Sequence, residues 1–172
     1  MRLNFNYNNI KMIISDFDGI FTDGTGIVDF EGNVSKRINF HDVLGIALAH
    51  KFGIKTVIIT GEEAGAVKYL DKKFDELKTY QGIKDKLPLV KKILEEENLL
   101  PEQIIYVGDD INDLPSLIFA GNKVTVPNAH TSIKEIRDIQ ITEKRGGEGV
   151  FREVVDALVY DKYEAVFAGE KQ

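Results

Sequence analysis

The chain has 172 residues, room for one domain rather than two, and at 43% hydrophobic and 29% charged residues it can bury a sizeable core. Its 28 acidic residues outnumber 22 basic ones, and the net charge of −6 argues against a nucleic-acid or anionic-membrane partner, since phosphate surfaces call for a basic footprint. The lack of cysteine excludes disulfides, thiolate catalysis and cysteine-ligated zinc, and His41, His50 and His130 are too scattered for a histidine-rich metal site. No apolar run approaches a membrane span and the opening MRLNFNYNN lacks the apolar core of a secretory signal, so the cytoplasm is the expected location.

Residues 10–15 (IKMIIS) read as a buried strand that stops at Asp16 in a polar, glycine-bearing turn. Residues 26–30 and 34–40 flank Glu31-Gly32-Asn33 and read as a hairpin, with Gly32 or Asn33 at positive φ. Residues 42–52 have helical spacing, 55–60 (KTVIIT) form a second buried strand, and 62–74 an amphipathic helix with acids first and lysines last. A helix over 85–98 with Pro88 in its first turn leads to a strand at 103–107. Then come a helix at 112–120, a strand at 123–126, a helix at 131–138, a strand at 139–142 and a closing helix at 149–160, leaving 161–172 as a tail. The alternation predicts an α/β fold with βαβ crossovers and a mostly parallel sheet covered on both faces, whose ligands gather at the carboxyl ends of the strands.

Those ends are where the polar residues fall. The first strand delivers Asp16, Asp18, Thr22 and Asp23, the second Thr60 and Gly61, and the third Asp109, Asp110, Asn112 and Asp113, with Lys84 and Lys86 at a helix start between them. Carboxylates this close repel one another unless a cation offsets them, and a donor set of oxygens alone favours a hard ion, magnesium first. An Asp beside such an ion can attack phosphorus, and a second Asp two residues on can act as general acid and base. A Thr hydroxyl and a Lys can offset charge on the transferring group.

With these residues in view, Ile13 to Gly24 (IISDFDGIFTDG) resembles the first motif of haloacid dehalogenase-like phosphatases, Asp-x-Asp-Gly-x-x-Thr. Thr60 closing VIIT, Lys86 in GIKDK, and Gly108-Asp109-Asp110 with Asp113 resemble the other three, in order. The resemblance implies a Rossmann-like three-layer fold and a set of roles. Asp16 is the nucleophile and Asp18 the acid and base, Thr60 and Lys86 hold phosphoryl oxygens, and Gly61 supports them. Asp16, Asp109 and the carbonyl of Asp18 hold Mg2+, with Asp110 and Asp113 supporting the metal. Only a hairpin fits over 25–40, and one helix and a short strand between Gly61 and Lys86, so no cap domain is expected.

Capless chains of this length with FTDG after the first motif resemble the 3-deoxy-D-manno-octulosonate 8-phosphate phosphatases, as does EKRGGEGVFRE at 143–153. That resemblance implies a homotetramer in which hairpins and C-terminal tails complete neighbouring sites. Glu62, where the octulosonate enzymes usually carry Arg, is closer to the branch acting on nononate or N-acylneuraminate 9-phosphates, so a nine-carbon 2-keto-3-deoxy sugar acid is the first expectation and octulosonate 8-phosphate the alternative. Glu62, Lys73, Asp42 and Arg145 are the candidate substrate contacts.

Several of the candidate residues have a plainer reading beside the functional one. Glu62 is equally a first-turn acid, Asp113 a helix cap, Lys86 a first-turn lysine in competition with Lys84, Lys73 (with Lys68) a solvated helix face, and Arg145 an ion-pairing group. At the level of the whole chain, a phospho-receiver and a non-catalytic oligomerisation module are the competing classes.

Overall fold

The structure, a computed structural model, describes residues 3–163; most of the tail expected from 161 to 172, namely 164–172, lies outside the described residues. Six strands form one sheet: β1 (Met12–Ser15), β4 (Lys55–Ile59), β5 (Lys78–Tyr80), β6 (Ile104–Val107), β7 (Asn122–Thr125) and β8 (Gln140–Ile141), in the order β5-β4-β1-β6-β7-β8. Every pairing in it is parallel. β1 and β6 are buried at all four positions, as central strands must be when helices cover both faces.

The helices are α1 (Phe40–Lys51), α2 (Gly65–Lys73), α3 (Lys86–Glu97), α4 (Leu114–Phe119), α5 (Thr131–Lys134) and α6 (Val150–Val159). α1 packs on α6 and α3 on α4. Asn39 caps α1, its side chain accepting from the His41 N–H at 2.9 Å, so the helix starts two residues before the apolar spacing suggests. α3 ends at Asn98, held left-handed at φ 53°. Between β1 and α1 there is only the hairpin, β2 (Ile27–Val28) with β3 (Val34–Ser35), and between β4 and α3 only α2 and β5, so no cap domain is present among the described residues.

Some elements depart from their expected spans for local reasons. The hairpin ladder is two residues a side because the Asp29 carboxylate takes over the turn, accepting from the Glu31 and Asn33 N–H groups at 2.9 and 2.8 Å; Gly32 supplies the positive φ. α2 begins at Gly65, not at Glu62, because Gln81 Oε1, from beyond β5, accepts the Ala64 N–H at 2.9 Å and sets the entry. A single 3-10 turn at Ile111–Asp113 precedes α4, and α5 stops after one turn.

The loop after β1 is fastened from below. Phe17 and Phe21 are fully buried and their rings stack at 5.7 Å, with Phe21 stacking on Phe151 of α6 at 5.1 Å. From above, the glycine-rich segment before α6 lies on the same loop, Gly147 N–H donating to the Ile20 carbonyl at 2.9 Å. A Cβ on Gly146 would stand 2.0 Å from the Gly19 carbonyl oxygen, so only glycine permits this contact.

Candidate active site

Three parallel strands end side by side and deliver the polar residues. Asp16 leaves β1 with its N–H bonded to the Val107 carbonyl of β6 at 2.8 Å, and its Oδ1 accepts the Phe17 N–H at 2.6 Å. Thr60 leaves β4, pinned by its N–H to Tyr80 and its carbonyl to Ile83. Asp109 follows β6, where its carbonyl accepts the His130 N–H at 2.9 Å and the Thr125 hydroxyl holds the preceding Gly108 carbonyl at 2.7 Å. A cavity of about 500 Å³, sugar-sized, opens over these ends; Asp16, Asp18, Thr60, Gly61, Asp109 and Asp110 line it.

Lys86, the first residue of α3, is wholly buried with Nζ 2.9 Å from Asp16 Oδ1 and 2.7 Å from Asp113 Oδ1. This separates it from Lys84, whose side chain is 72% exposed and pairs with Glu62 across the cavity mouth. Asp113 is also fully buried and both its oxygens are taken. Oδ1 accepts from Lys86 and from the Tyr106 hydroxyl at 2.8 Å; Oδ2 accepts the N–H groups of Asp109 and Asp110 at 3.2 and 3.4 Å. Asp113 therefore orders the turn that carries Asp109 rather than offering a free ligand; it makes no side-chain cap bond to α4, so the helix-cap reading fails, and it is instead the return arm of a box on the preceding 3-10 turn, whose cap is Asp110.

Oxygens of Asp16, Asp109 and Asp113 come within 4.8 Å of one another. Burial, and then the charge of Asp113, push Asp16 well above the usual carboxylate range despite Lys86. Burial followed by repulsion from Asp113 and Asp110 lifts Asp109 to about 7. One ammonium among three crowded carboxylates leaves a surplus of negative charge in a desolvated place, which is what a hard divalent cation held by Asp16 and Asp109 would offset; the donor set fits such an ion. Glycine at 19 (φ 76°) is required here, since a Cβ would stand 1.9 Å from Asp109 Oδ2.

Asp18 is not in that trio. Its Oδ1 accepts from the Thr22 hydroxyl at 3.1 Å and its Oδ2 pairs with Lys36 at 2.6 Å. Glu62 is exposed at the mouth, and its first-turn reading fails because α2 starts three residues later.

Three expected substrate contacts, Asp42, Lys73 and Arg145, lie outside the cavity lining. Asp42 has no exposure at all; it lies where α1 meets α6, its Oδ1 accepting the Arg152 N–H at 2.9 Å, and cannot reach a ligand. Lys73 sits in the last turn of the nine-residue α2, about 13 Å along from the end near the sheet's carboxyl edge, with Nζ 5.8 Å from the Phe74 ring centre. Arg145 is exposed on the glycine-rich segment, outside the residues that line the cavity. Lys36 and Tyr106 were not expected. Tyr106 had a signal, for a tyrosine inside a fully buried strand needs a partner for its hydroxyl; Lys36 had none, since a two-residue strand does not reveal which of Lys36 and Arg37 turns inward.

Residues 59–154 match the haloacid dehalogenase-like hydrolase family. The 3-deoxy-D-manno-octulosonate 8-phosphate phosphatase of Salmonella typhi is 35% identical over 151 residues, 88% of this chain and 80% of that protein. Among solved structures, the 3-deoxy-D-manno-octulosonate 8-phosphate phosphatase of Moraxella catarrhalis, in complex with magnesium, phosphate and the sugar acid, superposes with a TM-score of 0.87 at 30% identity, covering 96% of this chain and 95% of that one. The cobalt-bound deoxy-D-mannose-octulosonate 8-phosphate phosphatase of Haemophilus influenzae gives 0.84 at 25% identity, covering 94% and 98%.

Proposed function

We propose that this chain, which belongs to the haloacid dehalogenase-like hydrolases and is a phosphatase, hydrolyses 3-deoxy-D-manno-octulosonate 8-phosphate with Mg2+ bound at Asp16 and Asp109. The observation that carries the chemistry is the buried Asp16–Lys86–Asp113 array at the strand ends, with Asp18 two residues beyond Asp16 and a second acidic turn at Asp109. A phospho-receiver carries no acid two residues after its phosphorylated Asp, and a purely structural module has no use for this array.

In the reading we propose, Asp16 attacks phosphorus in line. The P–O bond to the sugar breaks, the Asp18 carboxyl gives its proton to the leaving oxygen, and an aspartyl phosphate forms on Asp16. Asp18, now a carboxylate, takes a proton from water as the water oxygen bonds to phosphorus and the Asp16–phosphorus bond breaks. Lys86 and the Thr60 hydroxyl face the phosphoryl oxygens, and Asp113 with Tyr106 keeps Lys86 in place. A divalent cation, when bound, neutralises charge on the phosphoryl group.

The sugar-acid identity rests on the relatives' substrate and on the cavity's size and polarity. A nine-carbon acid is the second reading, favoured by Glu62 at the mouth, where its carboxylate can accept bonds from extra hydroxyls. We further propose a homotetramer, supported by the apolar side chains that the hairpin leaves in water, Ile27, Val28, Phe30 and Val34. Phosphate release from the eight-carbon and nine-carbon substrates and from a plain hexose phosphate tests the substrate. The highest kcat/KM on the eight-carbon acid supports the first reading, on a nine-carbon acid the second, and on the hexose neither.

A further inference from the structure

The hairpin sends one residue into the site. Lys36 follows β3, and while both hairpin strands are exposed, the Lys36 side chain is 15% exposed. Its Nζ lies 2.6 Å from Asp18 Oδ2, and the Thr22 hydroxyl is 3.1 Å from Oδ1, so each carboxyl oxygen of Asp18 has its own donor. A carboxyl group held through one oxygen can still turn about its terminal torsion; donors on both oxygens set its plane. Thr22 is itself tied down, its Oγ1 accepting the N–H groups of Gly19 at 3.3 Å and Gly24 at 3.2 Å. Lys36 is the donor that comes from outside the Asp16–Gly24 loop.

We propose that Lys36 is a positioning residue for Asp18, so that the hairpin of each subunit takes part in that subunit's own proton transfer. The inference rests on the phosphatase reading above. In both steps a proton crosses between Asp18 and an oxygen on phosphorus, from the carboxyl group to the leaving oxygen and then from water to the carboxylate. Misplacing such a group by 1 Å costs on the order of 100-fold in rate. Lys36 acts through Asp18 and not on the substrate, so its effect belongs in kcat.

The test is a double-mutant cycle on phosphate release, with thermal melts to confirm that each variant is folded. Lys36→Met lowers kcat about 10- to 100-fold with KM within about threefold of the parent, and Lys36→Arg recovers part of the loss. In an Asp18→Asn background, followed with enzyme in excess, Lys36→Met adds no more than about twofold, because the group it positions is gone. A rise in KM with kcat kept makes Lys36 a substrate contact and overturns the proposal, as does a full multiplicative loss in the Asp18→Asn background. An unaffected Lys36→Met also overturns it while leaving the phosphatase reading standing; a wild-type protein without phosphatase activity removes that reading and this inference with it.

Discussion

The buried carboxyl group of Asp42 makes the fold itself sensitive to pH. Burial, only partly opposed by the Arg152 and Phe151 N–H groups and the charge of Lys144, raises its pKa to about 7, and its Oδ2 has no hydrogen-bond partner. An unfolded aspartate titrates near 3.9, so between about pH 4 and pH 7 the folded state holds a proton that the unfolded state has lost. Stability from this group is therefore full below pH 4 and falls as pH rises to 7. A gap of three units corresponds to about 4 kcal/mol, of which about 2–3 kcal/mol falls between pH 5 and 8. Asp42→Asn keeps an acceptor for the Arg152 N–H and cannot ionise. Urea melts of both proteins at constant magnesium, from pH 5 to 8, should show the stability difference moving in favour of the variant by that amount as pH rises. Parallel curves would mean that Asp42 ionises as it does in water and that the burial argument is wrong.

Other consequences follow from the same contacts. Gly19→Ala places a methyl group at φ 76° and 1.9 Å from Asp109 Oδ2, so Asp109 must move. Phosphate release should fall on the order of 100-fold, with more magnesium needed for half-maximal rate, and left-handed strain should cost about 1–2 kcal/mol in thermal melts. Lys86→Met removes the one cation between Asp16 and Asp113 and should destabilise the magnesium-free protein by about 3–5 kcal/mol in urea melts, with activity lost. Tyr106→Phe deletes a buried hydrogen bond to Asp113 and should cost about 1–2 kcal/mol in the same assay while lowering turnover less than Lys86→Met does.

How far the sequence was legible depended on whether the cause was local. The apolar runs MIIS and IIYV end abruptly in Asp16 and Gly108-Asp109, and that pattern alone placed the strands and the acidic residues at their carboxyl ends. The start of α2 was misread because Glu62 and Glu63 look like first-turn acids, whereas the entry is set by Gln81, a side chain 17 residues away. Asp42 carries a motif-like position, but only the packing of α1 on α6 reveals that it is sealed from solvent. Lys84 and Lys86 stand two apart at one helix start, and burial against Asp16 and Asp113 decides between them.

The central claim is that Asp16 is the nucleophile of a magnesium-dependent phosphatase. Phosphate release from 3-deoxy-D-manno-octulosonate 8-phosphate, by wild type and Asp16→Asn with magnesium or with chelator, tests it most directly. The account predicts release by wild type with magnesium, little with chelator, and none above background from a folded Asp16→Asn protein. Magnesium-dependent release by Asp16→Asn at the wild-type rate would contradict it.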